Sequence, residues 1–159
     1  QLYDQYAPAL LSVCRLYISD LQFAEDALLK AFFKIFTSLS KYEEQEHFYA
    51  WIRRITVNEC IDFLKSKVQK LSFADWSDTY DTIDESELDN ESFNDEQIQA
   101  FIDKLPSACR TVFNLYVFEN ESHKQIAEKL GISEGTSKSQ LAYAKKLLQQ
   151  YVTNYKKRA

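Results

Sequence analysis

Apolar residues recur every three or four positions along most of the chain and rarely alternate, so the sequence predicts a nearly all-helical protein. Residues 2–18 form a first predicted helix, with Leu10, Val13, Cys14 and Tyr17 on one side. Asp20 is placed to cap the next. From Ala24 to Leu39 an apolar stripe runs through Leu28, Phe32, Ile35 and Leu39, and a second row, Leu29, Phe33 and Phe36, lies alongside it. A helix apolar over so much of its circumference is expected to be sandwiched between two others; the alternative is that one row meets a partner. The polar stretch "SKYEEQEH" then reads as a loop, followed by a helix over 48–67, "FYAWIRRITVNECIDFLKSK". Its core stripe is Val57, Ile61, Leu64 and Val68. A different stripe carries Trp51, Arg54, Asn58, Asp62 and Lys65, so a tryptophan shares a face with cations and an amide.

Periodicity fades over residues 68–96. The run "LSFADWSDTYDTIDESELDNESFNDE" is rich in Ser, Thr, Asp and Asn and reads as a flexible tether between two helical domains, 1–67 and 97–159. Beyond it, Ile98, Phe101, Ile102 and Leu105 predict a short amphipathic helix, which Pro106 ends or whose successor it opens. Another helix covers 107–118, with Val112, Phe113, Leu115 and Tyr116.

The segment "SHKQIAEKLGISEGTSKSQLAYAKKLL" is the most informative. Ser122 caps a helix that buries Ile126, Ala127 and Leu130. Gly131 ends it in a left-handed turn, Ile132 tucks beneath, and Ser133 caps a second helix with Leu141, Ala144, Leu148 and Tyr151 inward. Helix, glycine-centred turn and capped helix are the layout of a DNA-binding helix-turn-helix. Gly135, in the first turn of the second helix, suits close approach of the backbone to a phosphate. Thr136, Lys138, Ser139, Gln140, Tyr143 and Lys145 are expected to face outward, toward phosphates and major-groove edges.

Charge sharpens this division. The total of −5 hides a segregation: residues 68–96 carry a net −9, residues 1–67 a net −1 and residues 97–159 a net +5. A block of like charge keeps a tether extended and soluble. No apolar run approaches the roughly 20 residues of a membrane span, and "QLYDQYAPAL" lacks the marks of a signal peptide. The chain begins at Gln1 and has no Met, so the natural start is expected to be trimmed, and a short leader ahead of it stays open. Cys14, Cys60 and Cys109 are odd in number and widely spaced, which fits a reduced, cytoplasmic setting. His47 and His123 lie far from them in sequence, so no metal site is expected. Nothing suggests an enzyme or a cofactor: there is no Gly-rich phosphate loop and no nucleophile with an apparent base.

Four segments, "AED" at 24–26 with the Phe that follows, "FYAWIRRITVN" at 48–58, "LPSACRTVFNL" at 105–115 and "IAEKLGISEGTSKSQL" at 126–141, resemble the RNA polymerase sigma factors of the extracytoplasmic-function group, in order and spacing. The resemblance spans essentially the whole chain. It implies a sigma region 2 over 1–67 and a sigma region 4 over 97–159, acting together in promoter recognition. Glu25, Asp26, Leu29 and Phe33 would then dock on the clamp coiled coil of the largest polymerase subunit. Trp51, Arg54, Asn58 and Lys65, with Tyr42 and His47 of the preceding loop, would hold the melted −10 element. Ser133, Gly135, Thr136, Lys138, Ser139, Gln140, Tyr143 and Lys145 would meet the −35 element, with region 4 resting on the flap of the second-largest subunit. The acidic tether would thread toward the RNA exit channel, and an anti-sigma factor would be the expected regulator.

Some positions depart from the family pattern. Leu29 and Lys30 replace a frequent Gln-Glu pair, Ser137 and Gln140 stand where Val and Arg are common, and Glu43, Glu44 and Glu46 make the −10 loop acidic. The other reading of the sequence is a stand-alone helix-turn-helix regulator or signalling adaptor, with a helical partner-binding domain.

Overall fold

Short polar side chains set most helix starts in this chain. In the computed structural model, which describes residues 1–43, 47–67 and 93–158, seven α-helices are found among the described residues and no strand. They divide into two units, 1–70 and 71–159.

The first unit contains α1 (Leu2–Tyr17), α2 (Leu21–Ser38) and α3 (Phe48–Lys67), each packed on the other two. Asp20 caps α2 by accepting a hydrogen bond from the Phe23 amide at 3.1 Å, satisfying one of the donors that a helix start leaves unpaired. A 3-10 turn, Leu39–Lys41, closes α2, and Tyr42 follows in extended backbone. Leu39 is therefore exposed at the helix end instead of continuing the inner stripe. The core is Leu10, Val13, Cys14 and Tyr17 of α1, Leu28, Phe32 and Ile35 of α2, and Ile52, Val57, Ile61 and Leu64 of α3. Val68, expected to extend that last stripe, lies outside the described residues. A hydrogen-bonding contact with the Cys14 thiol, together with burial, raises the Cys60 pKa well above its ordinary value. Burial likewise pushes Cys109 up to about 11, and all three cysteines are free.

The expected sandwich around α2 is overturned. Its inner stripe meets α1 and α3, but Leu29, Phe33 and Phe36 form an open ridge, 57%, 71% and 49% exposed. Two helices, α1 and α3, cover the inner stripe of α2, and no further described helix of this unit lies over the ridge.

The second unit contains α4 (Asp95–Asp103), α5 (Ser107–Val117), α6 (His123–Leu130) and α7 (Glu134–Arg158). Asn94 caps α4 with a reciprocal bond to Gln97, and Phe93 sets its ring against Phe101 and Tyr155. Phe93 is the first described residue of this unit, and most of the acidic tether lies outside the described residues. Pro106 caps α5, and the buried Arg110 donates to the Leu105 carbonyl at 2.9 Å, closing the corner between α4 and α5. Leu105, Cys109 and Ala144 form a core cluster, with Phe113, Tyr143, Leu147, Leu148 and Tyr151 packed on it.

Candidate nucleic-acid interface

In α3 the two stripes separate cleanly. Ile52, Val57, Ile61 and Leu64 point into the core, whereas Arg54, Asn58, Asp62 and Lys65 are exposed. Trp51 is half-buried on the boundary. Its ring lies 5.3 Å from Tyr42 and 5.8 Å from Phe48, which themselves meet edge to face at 5.2 Å. Tyr6 of α1 extends the group, 5.5 Å from Phe48. Trp51 is thus held in orientation by aromatic neighbours, with part of its surface facing water. His47 is exposed, and its carbonyl accepts the Trp51 amide at 3.1 Å, joining the loop to the helix start. Tyr42 is half-buried and Glu43 exposed; Glu44 and Glu46 lie outside the described residues. Phe48, part of the aromatic support, was not singled out by the sequence. Its place at the helix start was the available signal, since an aromatic there can reach back over the loop.

On α2, Glu25 and Asp26 are exposed, on the same helix as the open Leu29–Phe33–Phe36 ridge.

The helix-turn-helix geometry is present in α6 and α7. Ser122 and Gln125 form a reciprocal cap, and Gly131 adopts φ 67°. The Ile132 amide donates to the Ala127 carbonyl at 3.1 Å. Ser133 accepts the Thr136 amide at 2.9 Å, capping α7. Ser133, Gly135, Lys138 and Lys145 are exposed.

Three residues expected to face outward do not. Thr136, Ser139 and Gln140 are 7%, 8% and 5% exposed. Short hydroxyl side chains can turn back on their own helix. Thr136 accepts a bond from Ser133, and Ser139 donates to the Thr136 carbonyl at 3.1 Å. Gln140 falls on the inner stripe beside Ser137, Leu141 and Ala144. Tyr143, also expected outward, is half-buried on the core cluster. Of the residues expected to meet DNA, Ser133, Gly135, Lys138 and Lys145 thus stay open, with the acidic Glu134 exposed beside them.

Comparison with known proteins bears on what two such units do. Residues 2–69 match the family model for sigma-70 region 2, and residues 95–148 match that for sigma-70 region 4. The RNA polymerase sigma factor SigZ of Bacillus subtilis is 30% identical over 94% of this chain and 84% of its own length. This chain belongs to the sigma-70 family of RNA polymerase sigma factors, in its extracytoplasmic-function group. A second relative, the extracytoplasmic-function sigma factor SigW of Bacillus subtilis, is 26% identical over 87% of this chain and 80% of its own length. The fold is shared with the sigma factor RpoE of Bartonella quintana, solved in complex with the anti-sigma factor NepR. There the TM-score is 0.57 at 20% identity, covering 96% of this chain and 95% of that one. As a sigma factor, the protein is a transcription initiation factor that directs RNA polymerase to promoters, which sets aside the stand-alone regulator. No described helix of this sigma factor is long and apolar enough to cross a membrane.

Proposed function

We propose that the two units divide promoter recognition between them, the first holding the melted −10 element and the second meeting the −35 element. The open stripe of α3 carries this reading: Arg54, Asn58 and Lys65 are exposed on the face away from the core, with Trp51 at its edge. The aromatic face of Trp51 replaces the stacking lost when bases separate. Asn58 offers both a donor and an acceptor to a base edge. Arg54 and Lys65 neutralise phosphates of the unwound strand, and Tyr42 and His47 flank the base held by the preceding loop. In α7, Lys138 and Lys145 sit where phosphates would pass, with the backbone at Gly135 open to close approach. The buried Thr136, Ser139 and Gln140 shape the helix and leave base contact to the exposed residues.

Glu25, Asp26, Leu29 and Phe33 dock on the clamp coiled coil of the polymerase, with Phe36 extending the apolar part of that surface, while the second unit rests on the flap. The protein acts by binding, in the cytoplasm, and performs no catalysis of its own. An anti-sigma factor regulates it by covering the polymerase-binding faces, a reading supported by the NepR complex of the structurally similar RpoE. Run-off transcription with core polymerase on a genomic library tests the whole reading. It should return a set of promoters sharing two spaced elements, and transcripts without a shared upstream element would reject the role of α7.

A further inference from the structure

His123 is the first residue of α6, yet its side chain joins three helices. The imidazole stacks on Tyr116 of α5, with ring centroids 4.8 Å apart and planes 22° from parallel. Its Nδ1 lies 2.9 Å from the Ser137 hydroxyl of α7, which is fully buried. A hydroxyl buried at a helix crossing destabilises the crossing unless it finds a partner. His123 is that partner, and it accounts for a serine at a position where the family commonly has valine. The charged and titratable groups facing the ring are Glu134, Lys138 and Lys145 of α7 and Tyr116 of α5.

We propose that His123 is a proton-linked positioning residue of the helix-turn-helix, fixing α7 through Ser137 and, once protonated, adding a positive charge beside the lysines that meet DNA phosphates. This rests on the −35 reading above. In the free protein, burial above all and then Lys138 lower the His123 pKa; Glu134 opposes them, and Lys145 adds a smaller lowering effect. Bound phosphates offset the lysine charges and favour the imidazolium, so the pKa rises on binding. Linkage makes the effect reciprocal. Affinity is lowest above the bound-state pKa, climbs as pH falls through it, and levels off below the free-state pKa. Each unit of difference between the two states is worth tenfold in affinity.

The test uses holoenzyme reconstituted from core polymerase and the full chain, wild type or His123→Gln. The DNA is a promoter duplex recovered by the run-off selection, or the same duplex with its −35 segment replaced. Glutamine can still reach Ser137 but does not titrate, and His47 is common to both proteins. At fixed ionic strength the wild-type advantage over the variant should grow by roughly threefold or more between about pH 8 and about pH 6. An advantage that stays constant with pH overturns the inference and leaves His123 a structural residue. If wild-type holoenzyme binds both duplexes equally, the −35 reading has failed and this inference falls with it. A second measurement needs no variant. The chain has two histidines, so the His123 ring is readily followed by NMR in the full chain. Its titration midpoint should move up when a mixed-sequence duplex binds at low salt, and an unmoved midpoint in bound protein overturns the proposal.

Discussion

Lys34 of α2 places its ammonium 2.5 Å from the Glu59 carboxylate of α3, and 3.5 Å from Asp62. The Glu59 side chain is only 9% exposed, whereas that of Lys34 is half in water. The Glu59 oxygen makes no well-angled hydrogen bond, so the lysine charge is what offsets its burial. Lys34→Met should therefore destabilise the first unit by about 1–3 kcal/mol, the cost of leaving a buried polar group unmatched. Adding Glu59→Gln should recover part of the loss, and denaturant unfolding of the three variants measures both effects. The contact with Glu59 raises the Lys34 pKa above its ordinary 10.5, against the opposing effect of burial. With Glu59 ionised, the Lys34 contribution is accordingly complete below pH 10.5 and lost as pH rises through the folded-state value.

Asn58 separates recognition from folding because its side chain is exposed. Asn58→Ala should leave stability within about 0.5 kcal/mol of wild type. Open-complex formation should fall roughly tenfold, the scale of one lost base-edge contact. Trp51→Ala should lower both, since Trp51 also packs on Tyr42 and Phe48. Permanganate footprinting of the promoter, beside a core-binding assay, reads the difference. Equal losses of core binding and opening in Asn58→Ala would mark a structural residue.

Phe33 is the most exposed residue of the α2 ridge. Phe33→Asp should change stability by no more than about 0.5 kcal/mol. Affinity for core polymerase should drop by about tenfold or more, as expected when an aromatic anchor is lost from an interface. Fluorescence titration with core polymerase decides it, and unchanged affinity would place the clamp contact elsewhere.

Gly131 closes the turn at φ 67°, and a Cβ added there would meet nothing within 4 Å. The cost of Gly131→Ala is thus backbone strain alone, about 1–2 kcal/mol. Thermal unfolding should register that loss. Gly131→Asn should recover much of it, because Asn tolerates the left-handed region.

Local chemistry was legible in the sequence. The caps at Asp20, Ser122 and Ser133 and the left-handed Gly131 depend on neighbours a few residues away, and each forms as expected. The stripes of α3 were readable for the same reason, since helical spacing alone separates Asn58 from Ile61. What failed depended on distant packing. The ridge of α2 could be read as core or as partner surface, with core favoured, because composition does not reveal how many helices surround it. Thr136, Ser139 and Gln140 looked like surface because they are polar, but two of these side chains bond back to their own cap or helix and the third falls on the inner stripe. His123 gave no signal at all, because its partners Tyr116 and Ser137 are set by how three helices cross.

The uncovered side of α2 also bears on dosage. Three large greasy side chains in a row on a solvated helix invite self-association whenever the chain outnumbers whatever shields them. Overproduction without the shielding protein should therefore send the surplus into aggregates, and co-expression should return it to solution.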